Sequence, residues 1–217
     1  MKQFIHRYLD PAVRLGEILF GLIMALGFTA SVRLGLDEAD NRDLFLGILG
    51  CNLAWAIVDG VMYVLTELFE RGRRARLIRE VRAARSDEEA IAHIASEVDA
   101  RLGLVESAPE LEKFHRWMLE LVRRGEPVVP SIHRDDLLGG VAVGLVIVLA
   151  TLPVVVPFLL VPNPDIAVRV SNTVALVLLF LLGMSWGRMV GGRPWHIGAS
   201  LTGVGIVLVL ITIALGG

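Results

Sequence analysis

The chain has one cysteine in 217 residues, Cys51, so it can form neither an intrachain disulfide nor a thiolate metal cluster. Redox compartment is left open by so few thiols. It also lacks a small-residue cleavage site after its basic start "MKQFIHRYLDPAVR", because the apolar run continues to about Leu36. The N-terminal segment is therefore expected to stay attached rather than be removed as a signal peptide. Catalytic signatures are missing as well: there is no Ser-His-Asp order, no cysteine nucleophile and no pair of HxxxH helices. "GGVAVG" has neither the Lys-Ser/Thr ending nor the preceding strand of a phosphate loop. These absences argue against an enzyme. The formal net charge of only -2 hides a strong asymmetry, and the clustering of basic residues between positions 71 and 134 speaks to sidedness rather than nucleic acid.

What the chain does have is apolar residues: 54% of the sequence, with a mean hydropathy of +0.64. Soluble domains run nearer 45–50% on a similar count. A hydrocarbon core of about 30 Å needs about 20 mainly apolar residues in helical form, and open strands cannot satisfy their backbone groups in lipid. Five runs meet that requirement: Leu15–Val32, Leu44–Phe69, Leu137–Val161, Ile166–Val190 and Trp195–Leu215. The reading is an all-α polytopic membrane protein with five transmembrane helices and a helical cytoplasmic insert between the second and third. Residues 1–69 hold the N-terminal arm and spans one and two, 70–136 the insert, and 137–217 spans three to five.

The insert carries helix grammar throughout. "ERGRRARLIREVRAAR" continues the second span into water. "SDEEAIAHIASEVDARLG" opens on Ser86 and acidic residues and stops on Gly103, and "SAPELEKFHRWMLELVRRG" repeats that order with Ser107, Pro109 and Gly125. Three helices are expected. Thirteen of the 21 lysines and arginines lie between residues 71 and 134. Lys2, Arg7 and Arg14 in the arm, and Arg188 and Arg193 in the last short loop, fall on the same side in a five-span topology. The positive-inside rule then places the N-terminus and insert in the cytoplasm and the C-terminus outside.

Ionisable groups at the centre of a span cost about 2.5–3.5 kcal/mol on insertion scales, so they normally face a protein interior or a wet path. Asp59, halfway along the second run, is the clearest case, and Glu17, near the cytoplasmic end of the first, is the next. Helical spacing puts Glu17, Gly21 and Met24 on one face of the first span and Asn52, Asp59, Met62 and Tyr63 near one another on the second. Carboxylate, amide and thioether together suit a divalent transition metal, the oxygens supplying charge and the sulfur a softer contact. Each also has a plainer role: methionine packs, Asn52 bridges helices, and Asp59 pairs with a basic residue. Arg33 and Arg169, near span ends, are expected to snorkel. In the third span Pro153 and Pro157 each remove a helix donor, so a kink is expected there. In the insert, Glu89 with His93 and Glu112 with His115 have helical spacings compatible with metal ligation, although acidic residues on a surface helix are usually solvated.

The layout resembles the vacuolar iron transporter family. The likeness in motif is carried by "LGGVAVGLVIVLATLPVVVPFLL", "VSNTVALVLLFLLGMSWGRMVGG" and "WHIGASLTGVGIVLVLITIALGG", and that in topology by nearly the whole chain. It implies five spans, a cytosolic metal-binding insert, and a homodimer with its path at the subunit interface. Ferrous iron or manganese would be the substrate, no cofactor would be permanently bound, and the partners would be divalent metal ions and the lipid bilayer rather than nucleic acid. Roles for Glu17, Asp59, Met62, Glu89 and Glu112 follow from the same likeness. The first two spans depart from the family pattern: the Asp-Gly pair expected in the first is Asp59-Gly60 in the second. A competing reading is a membrane-anchored interaction or sensor protein whose arginine-rich insert meets a partner or anionic headgroups.

Overall fold

A computed structural model describes residues 2–32, 40–102, 109–126 and 129–214. Among these the chain is all helical: α1 (Lys2–Tyr8), α2 (Pro11–Val32), α3 (Asn41–Ala83), α4 (Asp87–Leu102), α5 (Pro109–Arg124), α6 (Arg134–Val155), α7 (Pro157–Leu160), α8 (Pro164–Met189) and α9 (Pro194–Ala214). Five stretches are long and apolar enough to cross a membrane, on α2, α3, α6–α7, α8 and α9. Gly103, Ser107 and Arg33, read above as stop, cap and snorkelling residues, lie outside the described residues.

The helix starts follow local chemistry. Asp10 accepts from the backbone N–H groups of Ala12 and Val13 at 2.8 and 3.1 Å, with Pro11 in the first helical position of α2. Asn163 does the same for α8, accepting from Ile166 N ahead of Pro164. At the far end of α8 the Gly192 N–H donates to the Gly187 carbonyl at 3.0 Å, and Gly191 adopts φ +68°, a left-handed turn that a Cβ would strain. The chain can thus re-enter α9 within four residues.

Two compact units are present, one of residues 1–63 with 134–217 and one of residues 64–133. In the first, the core is built from Leu22, Ala25 and Leu26 of α2, Leu44 and Ile48 of α3, Val154 and Val155 of α6, and Ala175 and Leu179 of α8. A second cluster centres on Val143 and Ile147 of α6 with Leu9 and Ala56. Small residues let backbones approach: Gly144 lies against the Ala56 carbonyl, Gly60 against the Gly140 carbonyl, and Gly183 against Gly198. In lipid there is no hydrophobic drive between helices, so close backbone packing of this kind holds the bundle. The outward faces carry exposed Ile57, Val61, Leu159, Trp195 and Leu210.

The expected kink takes a specific form. α6 runs through Pro153 and ends at Val155, and α7 begins at Pro157, which has no N–H with which to continue the ladder. The Val154 carbonyl at this break is satisfied from outside its own helix: the buried Ser171 hydroxyl of α8 donates to it at 2.7 Å. Of the two prolines, Pro157 sits at the break itself.

In the second unit, Val81 of α3, Ala90 and Ile94 of α4, and Leu119 of α5 form the core. Arg82 of α3 donates to the Val122 carbonyl at the end of α5, and Arg123 of α5 pairs with Asp87 at the start of α4 at 2.7 Å. Arginines of the insert therefore serve its internal ties as well as its charge.

Candidate functional site

In the first unit α2 and α3 bring Glu17 and Asp59 together. Both are partly buried, and they lie close enough for their charges to act on one another. Glu17 lies six residues into α2, roughly 9 Å along the helix axis. Its Oε2 atom is buried with no hydrogen-bond partner. Two like charges held near each other inside an apolar bundle repel and lose hydration, and a bound cation would relieve both costs.

A second rung lies one turn further along α2. A Cβ on buried Gly21 would sit 3.7 Å from the Asn52 Oδ1 and 3.4 Å from the Ile147 carbonyl oxygen, so α2, α3 and α6 converge there. Asn52 is fully buried. Its amide nitrogen donates to the Ile48 carbonyl at 3.0 Å, which orients the amide and leaves Oδ1 buried without a partner. An unpaired buried oxygen costs about 1–3 kcal/mol. Two of them on successive rungs of one seam, with a carboxylate pair at the first, make an oxygen-lined track of the kind hard and borderline divalent cations prefer.

The remaining sequence candidates divide. Met24 is half-buried, one turn beyond Gly21. Met62 is 53% exposed on the outward face of α3, beside Val61 and Leu65, so within one chain it is not part of the seam. Tyr63 takes a positioning role: its hydroxyl donates to the Tyr8 carbonyl at 3.1 Å and its ring lies over Gly139, tying α1 and α6 to α3 one turn from Asp59.

The four insert candidates are not gathered into one centre. Glu89 accepts from the Arg85 N–H at 2.8 Å while its own N–H donates to Ser86 Oγ, so it works in the cap of α4. Glu112 pairs with Arg116 at 2.7 Å on the exposed face of α5. His115 is buried and meets Asp99 of α4 at 2.9 Å. His93 is partly buried on α4. Among the described residues no group of three or more His, Cys, Asp or Glu side chains is arranged to hold a metal ion.

Sequence reasoning passed over three features. Asp136, counted there as the last residue of the polar insert, is 3% exposed in the first turn of α6. Trp55 Nε1 is buried without a partner. Arg14, read only as a topology signal, has a buried Nε without a partner while its guanidinium donates to His6 Nδ1. Only burial distinguishes these positions, and residue type alone does not report it. A family model described as the VIT family matches residues 66–217, a stretch that begins after Asp59 and takes in the insert and spans three to five. No curated protein matches the chain.

Proposed function

Since the chain belongs to the VIT family, and is on that ground a membrane metal-ion transporter, we propose that it carries ferrous iron or manganese out of the cytoplasm along the seam between α2 and α3. The observation that carries this reading is the Glu17–Asp59 pair beside the unpartnered Glu17 Oε2 and Asn52 Oδ1. Glu17 and Asp59 bind the ion, and Asn52 receives it one rung deeper. Oxygen donors alone favour manganese or ferrous iron over softer ions. When the metal leaves, the carboxyl pair takes up a proton in its place, which couples metal movement to proton exchange.

Two carboxylates and an amide, at one oxygen each, leave half of a six-coordinate shell to water or to a second copy, which suits a transit site better than a storage site. A homodimer fits the outward apolar face of α3, where Ile57, Val61, Met62 and Leu65 are exposed. Met62 joins the path only across such an interface. The N-terminus and insert lie in the cytoplasm and the C-terminus outside, on the basic bias of the loops. Family membership favours transport over a membrane-anchored interaction or sensor role.

Manganese uptake into proteoliposomes, with and without an opposing proton gradient, tests the proposal. Asp59→Asn and Glu17→Gln should each lower flux by about tenfold or more, since each removes a charge from a desolvated cation site. Flux unchanged by both substitutions would remove the pair from the mechanism.

A further inference from the structure

A cleft of about 500 Å³ opens between α1, α2, α6 and α8 of the first unit, apart from the Glu17–Asp59 seam. Its volume falls within the roughly 300–1,000 Å³ typical of small-molecule sites. Its polar groups gather at one end: His6 on α1, Arg14 in the first turn of α2 and Ser185 just before the last turn of α8. Alternating topology puts the start of α2 and the end of α8 at the same end of the bundle. Toward the middle of α2 and α8 the lining becomes apolar, with Leu22 and Leu178.

Arg14 is the unusual member. A guanidinium has only donors, so in its 2.6 Å contact His6 Nδ1 must accept, and the imidazole adds no negative charge. The Arg14 Nε is buried without a partner. A cation with unused donors at the rim of an apolar slot calls for an amphiphile with an anionic head. The slot has the right depth. Arg14 to Leu22 spans eight residues, roughly 12 Å of helix, against about 15 Å for half of a hydrocarbon core.

We propose that this cleft is a binding site for an anionic phospholipid, with the headgroup phosphate on Arg14 and one acyl chain lying along the groove toward Leu22 and Leu178. Arg14 supplies charge-assisted donors to the phosphate, His6 holds the guanidinium at the rim, and the apolar walls exclude the headgroup from the interior. The lining does not include Glu17, Asp59 or Asn52, so the site would exist in a chain that transported nothing.

The test uses the full chain in a neutral detergent, titrated with phosphatidylglycerol or phosphatidylcholine, with bound lipid counted by native mass spectrometry. Phosphatidylglycerol should bind about fivefold tighter, the size of one basic residue's preference for anionic lipid, and Arg14→Gln should bring the two lipids level. Ala150→Phe, which fills the apolar part of the cleft and leaves Arg14 in place, should lower retention of phosphatidylglycerol and keeps the test decisive if Arg14→Gln does not fold. Equal binding of the two lipids by the unmodified chain would overturn the proposal. So would phosphatidylglycerol binding that survives Ala150→Phe, or its full displacement by inorganic phosphate, which would mean that no chain occupies the groove.

Discussion

Replacing Gly60 by alanine places a methyl carbon 2.8 Å from the Gly140 carbonyl oxygen, where ordinary contact begins at 3.4 Å. The atom in the way is backbone on α6, not a side chain that can swing aside, so α3 and α6 must part by roughly 0.6 Å, the difference between those two distances. Overpacking of this kind costs about 1–3 kcal/mol, and the absence of a yielding neighbour puts Gly60 near the upper figure. Alanine also returns about 1 kcal/mol of helix propensity, for a net loss of about 2 kcal/mol. Gly50, exposed on the same helix, has nothing within 4 Å of its built Cβ, so Gly50→Ala should show the propensity gain alone. The two variants should differ by about 3 kcal/mol, the contact term by itself. At about 2–4 °C per kcal/mol for a chain of this size, their unfolding midpoints in one detergent should lie about 6–12 °C apart. Because Gly60 follows Asp59, Gly60→Ala should also depress metal flux while Gly50→Ala leaves it intact. Midpoints within a degree of each other would refute the claim that α3 and α6 meet backbone to backbone at this point.

Two further substitutions probe other parts of the fold. Ser171→Ala strands the buried Val154 carbonyl at the α6 break, so it should cost about 1–3 kcal/mol and lower the unfolding midpoint, whereas Thr173→Ala, on the exposed side of α8, should leave it nearly unchanged. Ser86→Ala should loosen the start of α4 by about 1 kcal/mol, read as faster amide exchange at Ala90. At the same cap, the Glu88 carboxyl is held below its ordinary 4.5 by its own backbone N–H and by the Ser86 hydroxyl. A lowered folded-state value means its contribution is present above pH 4.5 and is lost as pH falls through the folded value. Glu88→Gln should therefore flatten the rise in α4 exchange on acidification below pH 4.5, and an unchanged acid profile would show that Glu88 takes no part in the cap.

Length and hydropathy were enough to place five membrane-crossing helices, because lipid admits no other way of satisfying backbone groups in a chain of this composition. Ser86 and Pro109 likewise mark helix starts by chemistry confined to one or two turns. Asp59 stood out for the same reason: an acidic residue in an apolar run is visible without knowing its neighbours. What it faces was not visible. That Glu17 lies toward it while Met62 points away depends on how α2 and α3 each pack on α6, where Gly21, Gly60 and Gly144 let backbones approach. The insert shows the opposite balance, since helical spacing made Glu89, Glu112 and His115 look like ligands and tertiary packing gave them to a cap, a surface pair and a buried contact with Asp99. Local periodicity is written in the order of residues; partnership across helices is a property of three-dimensional packing, and only the folded bundle decides which oxygens are left without a donor.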